Sequence, residues 1–122
     1  MEQQPEFIQV RLSSLIEVAV ECWRLEHWLT DSQEDASKAI GRHAARRLNE
    51  FLRVHEITTI DMTGQPYEPG FAVEVVDTVT GEDAPEGMGV IHETVAPVVL
   101  WRGGVVKHGM VVTRKRSEVK QQ

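Results

Sequence analysis

A single cysteine, Cys22, excludes an internal disulfide framework and fits a reducing, cytoplasmic setting. No basic cluster surrounds it to stabilise a thiolate, so it reads as a small buried hydrophobe on a helix. No apolar run approaches the roughly 18 residues needed to span a bilayer. The opening MEQQPEF has neither a basic n-region nor an apolar h-region, so no secretory signal is expected. Signs of catalysis are also missing. There is no Gly-x-Ser-x-Gly elbow, and Ser13, Ser14, Ser32, Ser37 and Ser117 fall on expected helices, a cap or the tail. Gly87-Met88-Gly89 and Gly103-Gly104 do not open a helix and make no phosphate-cradling loop. The five histidines, His27, His43, His55, His92 and His108, do not recur at ligand spacing, and His92 and Glu93 would point to opposite faces of a strand. The chain is therefore expected to be no enzyme and to hold neither metal nor cofactor.

Basic charge is scarce except at one end. Residues 1–101 hold 7 Lys/Arg against 18 Asp/Glu, whereas residues 102–122 hold 6 against one. An acidic body repels phosphate backbones, so no nucleic-acid partner is expected. Arg114, Lys115, Arg116 and Lys120 make a short basic tail, read over 117–122 as disordered and solvated.

What the chain does have is helical periodicity followed by strand periodicity. Pro5-Glu6 suits a helix start, and from Phe7 to Leu29 the residues Leu12, Leu15, Ile16, Ala19, Cys22 and Trp23 recur at steps of three and four. Val18, Leu25, Trp28 and Leu29 form a second row, so the apolar face is wide. Asp31 with Glu34, and Ser32 with Asp35, offer caps for a second helix over about Gln33 to Val54. Its inward residues are read as Ala36, Ile40, Ala44, Leu48, Phe51 and Leu52. Such an antiparallel hairpin leaves apolar surface bare, each large side chain forgoing roughly 1.5–3 kcal/mol. Pairing two hairpins into a four-helix bundle would cover it, which predicts a homodimer with Leu12, Leu15, Ile16, Trp23, Ile40 and Leu48 at the interface.

After Ile57 the period becomes two. Ile57–Ile60, Phe71–Val79, Met88–Thr94, Val98–Trp101 and Val105–Thr113 read as strands, with Gly103-Gly104 at a hairpin tip. The expected fold class is α+β: a helical dimerisation bundle over 1–56 and a small C-terminal all-β domain over 57–116. Pro66-Tyr67-Glu68-Pro69 is a stiff elbow, because each proline holds the residue before it extended. Trp101-Arg102 beside the tip has the composition of an interface hot spot, and equally of a cover for the small β core.

In that order these segments resemble the GrpE family, the nucleotide exchange factors of DnaK-type chaperones. The lead-in Glu56-Ile57-Thr58-Thr59-Ile60, the Pro66–Pro69 elbow and the turn Asp83-Ala84-Pro85-Glu86-Gly87 carry the likeness. So do the strand Gly89-Val90-Ile91-His92-Glu93 and the closing Gly103–Val112 segment. The resemblance is to a short form without the family's long N-terminal helix. It implies a β domain that binds the nucleotide-binding domain of a DnaK-type chaperone and promotes ADP release, with Tyr67, Glu68, His92, Trp101, Gly104, Lys107 and Thr113 as partner-binding positions. The chain departs from the family's pattern at Val95-Ala96-Pro97, where a Gly-Tyr falls. It departs again at Gly104, Lys107 and Thr113, which replace an arginine, an arginine and a valine. The alternative is a dimeric interaction adaptor on the same scaffold without exchange activity. A carrier-domain reading of Lys107 is weaker, since Val106 and His108 flank it in place of methionines.

Overall fold

The computed structural model describes residues 6–30, 36–84 and 87–117. Among these the chain forms helices α1 (Leu12–Thr30) and α2 (Ala36–Val54), then strands β1 (Ile57–Ile60), β2 (Val73–Thr80), β3 (Val90–Ala96), β4 (Val98–Trp101), β5 (Gly104–Lys107) and β6 (Gly109–Lys115). No helix among the described residues is long and apolar enough to cross a membrane.

The first helix starts later than the apolar pattern suggests. The Arg11 carbonyl accepts the opening bonds, from the Ser14 and Leu15 amides at 3.0 and 3.4 Å. Phe7, Ile8 and Val10 upstream are exposed, and such aromatic and β-branched residues do not extend a helix without something to pack on. Pro5 and the caps at Asp31, Ser32, Glu34 and Asp35 lie outside the described residues.

The inward face of α2 is also corrected. Ala45 and Leu52 are buried, but Ile40, Leu48 and Phe51 are 73%, 40% and 46% exposed, and Ala44 is exposed too. The side chain of Ala36 lies outside the described set. Small residues decide the packing here: a Cβ added at Gly41 would sit 2.9 Å from Leu29 Cδ2, and the Cys22 thiol lies 3.8 Å from the Ala45 carbonyl. Close approach along Gly41 and Ala45 lets α1 nest against α2 and turns the bulkier residues outward.

Two residues separate α2 from β1. Glu56 stops the helix in a left-handed conformation (φ 64°), uncommon for a residue with a side chain, and Arg102 fastens it from across the sheet. The Arg102 amide donates to the Glu56 carbonyl at 2.9 Å, and Arg102 Nε donates to Glu56 Oε2 at 2.9 Å. The chain therefore folds back at once, laying β1 on both helices.

The strands make two three-stranded sheets, β1-β4-β5 and β2-β6-β3. The first is antiparallel. In the second, β2 runs parallel to β6 and β3 antiparallel to it. Arg102-Gly103, both at positive φ (52° and 81°), forms the β4–β5 turn, so the tip lies one residue before the expected Gly103-Gly104. The expected Val105–Thr113 strand is divided at His108, its halves joining different sheets. The chain passes between sheets twice at one place, at Pro97 and at His108-Gly109. A Cβ on Gly109 would lie 2.9 Å from the Ala96 carbonyl oxygen and 3.0 Å from the Val98 nitrogen, so only glycine lets the two crossings touch.

These contacts overturn the expected architecture. A long helical hairpin, paired in a dimeric four-helix bundle and carrying a small all-β domain, is not what forms; two 19-residue helices and six strands in two sheets do. A single core takes Ala19, Val20 and Cys22 from α1, Leu52 from α2, Ile57 from β1, Ala96 from β3 and Val99 from β4. Leu12, Leu15, Ile16, Trp101, Val106 and Met110 pack around it. The apolar face assigned to a second hairpin is largely covered from within, by the chain's own first sheet.

Candidate functional site

The positions expected to bind a partner fall into two groups on the two sheets. Trp101, Gly104 and Lys107 surround the β4–β5 turn. Trp101 is half-buried against the core, with the Arg102 guanidinium stacked over its ring at 4.5 Å. Gly104 pairs with Trp101 and is exposed; Lys107 pairs with Val99 and is half-buried. The Glu56–Arg102–Trp101 chain of contacts holds this corner in one geometry.

Tyr67, Glu68, His92 and Thr113 belong to the second sheet. The elbow lies along the outer edge of β3, where three backbone bonds fix it. Gly64 donates to Ile91 (2.8 Å), Ile91 to Gln65 (2.8 Å) and Tyr67 to Gly89 (3.0 Å). Pro66 lacks an amide, and its place at an edge bridge opposite Val90 suits it. The Tyr67 ring tilts toward Phe71 at 6.4 Å, and the Glu68 carbonyl accepts from the Phe71 amide, leaving the Glu68 side chain in solvent. His92 is exposed at a bulge, where β3 skips from Ile91 opposite Thr113 to Glu93 opposite Val112. Thr113 is 1% exposed and shares its hydroxyl with Thr78 at 3.0 Å. It forms the floor of a recess of about 150 Å³ lined by Tyr67, Val75, Thr78, Met88 and Lys115. Tyr67 and Thr113 are thus brought together; Trp101 and Lys107 stand on the other sheet.

Of the residues assigned to dimerisation, Leu12, Leu15 and Ile16 line the core and Trp23 is buried, whereas Ile40 and Leu48 face solvent. Val18 and Trp28 on α1, and Phe51 and Val54 on α2, are also exposed. Val18, Leu25 and Leu48 line an open groove of about 460 Å³ between the helices, bordered by Glu17 and Glu21.

One polar cluster escaped the sequence reading. His27 Nε2 lies 3.5 Å from Asp61 Oδ2, and the His27 ring stacks on Trp23 at 4.2 Å. The Thr63 amide donates to Asp61 Oδ1 at 2.9 Å, and the Thr63 and Thr94 hydroxyls share a bond of 2.8 Å. Burial pushes the Asp61 carboxyl up, but the hydrogen bond from the Thr63 amide and the polar pull of the Thr63–Thr94 hydroxyl pair, with the nearby His27, outweigh it. Its pKa is held below the ordinary value. Asp61-Met62-Thr63-Gly64 carries the composition of an Asx turn, the only local signal for this cluster; the approach of His27 from α1 is tertiary. The arrangement pins the end of α1 to the turn after β1.

Burial, and secondarily Glu26, push the Cys22 thiol up, which keeps it protonated and unreactive. Burial likewise raises Glu26, against the opposing pull of His27. Among the described residues no group of three or more His, Cys, Asp or Glu is placed to hold a metal ion. No family model matches the chain, and no curated protein matches it.

Proposed function

We propose that the chain is a GrpE-like nucleotide exchange factor that binds the nucleotide-binding domain of a DnaK-type chaperone in a cytoplasmic setting and promotes ADP release. The observation that carries the reading is the rigid elbow. Pro66-Tyr67-Glu68-Pro69 stands in the order that the resemblance gives it, between the Glu56–Ile60 lead-in and the acidic turn; the Tyr67 amide is bonded to Gly89, and Gly64 and Gln65 just before the elbow are bonded to Ile91. A fixed, exposed edge suits gripping a folded partner, because little ordering remains to be done on binding.

The protein would need no active site. An exchange factor accelerates release by binding the open form of the chaperone more tightly than the closed form, and its effect is bounded by that difference in affinity. Tyr67 and Glu68 on the elbow, with His92, Trp101 and Lys107, are the proposed contacts. The protein is proposed to act as a homodimer. Stopped-flow release of a fluorescent ADP from a DnaK-type chaperone tests the reading. The expected result is a rate that rises with this protein and saturates. Tight binding without acceleration would favour the adaptor reading, and neither binding nor acceleration would remove both.

A further inference from the structure

The two sheets have four outer strands, and three are closed to further pairing or short. β1 and β5 are four residues each, and the outer edge of β3 already holds the Gly64–Tyr67 segment. β2 differs. It is eight residues long, pairs only with β6 among the described residues, and is exposed from Glu74 to Thr80. Its sequence, VEVVDTVT, contains no lysine or proline; the two acids Glu74 and Asp77 and one bulge are its guards against indiscriminate pairing. A bulge at Val76 interrupts the ladder to β6.

Register sorts the side chains of this edge. Residues directly opposite each other share a face. Val75 pairs with Val111 and Thr78 with Thr113, so both lie on the face that carries the 150 Å³ recess under Tyr67 and Met88. Glu74 pairs with Met110 and Asp77 with Val112, placing both acids on the opposite face. Residues 74–83 contain Glu74, Asp77, Glu82 and Asp83 and no Lys or Arg. Lys115 stands at the recess, and Arg114, opposite Val79, lies 3.5 Å from Asp83.

We infer that the outer edge of β2 accepts an extended segment of a partner protein as an additional strand, and that the segment alternates aliphatic with basic residues. Main-chain bonds along β2 supply the attachment once the Asp77 carboxylate gives up the Thr78 amide from which it accepts at 2.8 Å, one aliphatic side chain enters the recess beside Tyr67, and the residues on either side of it present lysine or arginine to Glu74 and Asp77. Strand addition of this kind derives affinity from the backbone and selectivity from alternate side chains. Lys115 disfavours a cation in the recess, and the two acids disfavour one in register with them, which fixes the phase of the alternation. The inference does not depend on exchange activity.

The test uses the full chain with three synthetic peptides: alternating Lys-Val, alternating Glu-Val, and a block peptide of the Lys-Val composition. The expected result is that the Lys-Val peptide slows amide exchange of β2 and binds about tenfold or more tightly than either control, as paired opposite charges on neighbouring strands allow. Glu74→Lys with Asp77→Lys, both at exposed positions, is expected to reverse the preference in favour of the Glu-Val peptide while leaving the circular dichroism spectrum unchanged. Protection appearing elsewhere, equal binding of the block peptide, or an unreversed preference in the variant would each overturn the inference. Concentration-dependent protection of β2 without any peptide would also overturn it, since the edge would then serve a second copy.

Discussion

Replacing Ile57 by alanine should unfold the helices and the strands together. Ile57 is 2% exposed on β1 and belongs to the same core cluster as Ala19, Val20, Cys22 and Leu52 of the helices and Val99 of β4. Truncation of a fully buried isoleucine destabilises by about 2–5 kcal/mol, through lost transfer energy and the cavity left behind. Taking ~3 kcal/mol and an unfolding entropy of ~2.1 cal/mol/K per residue, the 122-residue chain should melt roughly 12 °C lower. Two probes follow the melt: far-ultraviolet circular dichroism for α1 and α2, and amide resonances of β4 and β6. A shared core requires one transition in the parent and in Ile57→Ala, displaced equally by both probes. If the helical signal kept its midpoint while the strand resonances lost theirs, the helices would be an independent unit and the reasoning would fail.

Other consequences can be checked on the purified protein. Thr78→Val leaves the buried Thr113 hydroxyl without its 3.0 Å partner and should destabilise by about 1–3 kcal/mol in urea titration, with Thr78→Val/Thr113→Val recovering part of the loss. Gly109→Ala forces a Cβ toward the Ala96 carbonyl at the sheet crossing and should cost about 1–3 kcal/mol by the same titration. The Asp61 carboxyl has a folded pKa below its ordinary 3.8, so its contribution to stability is present above that value and is lost as pH falls through the folded pKa. Stability measured against pH should therefore fall less steeply below about pH 4 in Asp61→Asn than in the parent; parallel curves would exclude the assigned hydrogen bonds.

The sequence made the elements legible and their assembly much less so. Steps of three and four placed both helices, because burying one side of a helix demands that spacing. The alternation after Ile57 marked where strands occur for the same kind of reason. The orientation of α2 was not legible: Ile40, Leu48 and Phe51 outweigh Gly41 and Ala45 in apolar size, yet close approach to Leu29 selects the small pair. Pairing over distance was hidden as well. Nothing local distinguishes Val105–Lys107 from Gly109–Lys115, although the contact between Gly109 and Ala96 sends them to different sheets. The elbow was readable as stiff from Pro66 and Pro69, but its anchorage on β3 depends on residues Gly89 and Ile91, more than twenty positions away. Likewise the burial of Thr113 becomes apparent only once Thr78 is known to lie opposite it.

The proposed mechanism implies that ADP and this protein oppose each other on the chaperone, by the same factor in both directions. The direct measurement is the dissociation constant of the full chain for a DnaK-type chaperone, taken without nucleotide and again at saturating ADP. Weaker binding in the presence of ADP is the predicted result. An affinity that ADP leaves unchanged would contradict the account, however tight the complex.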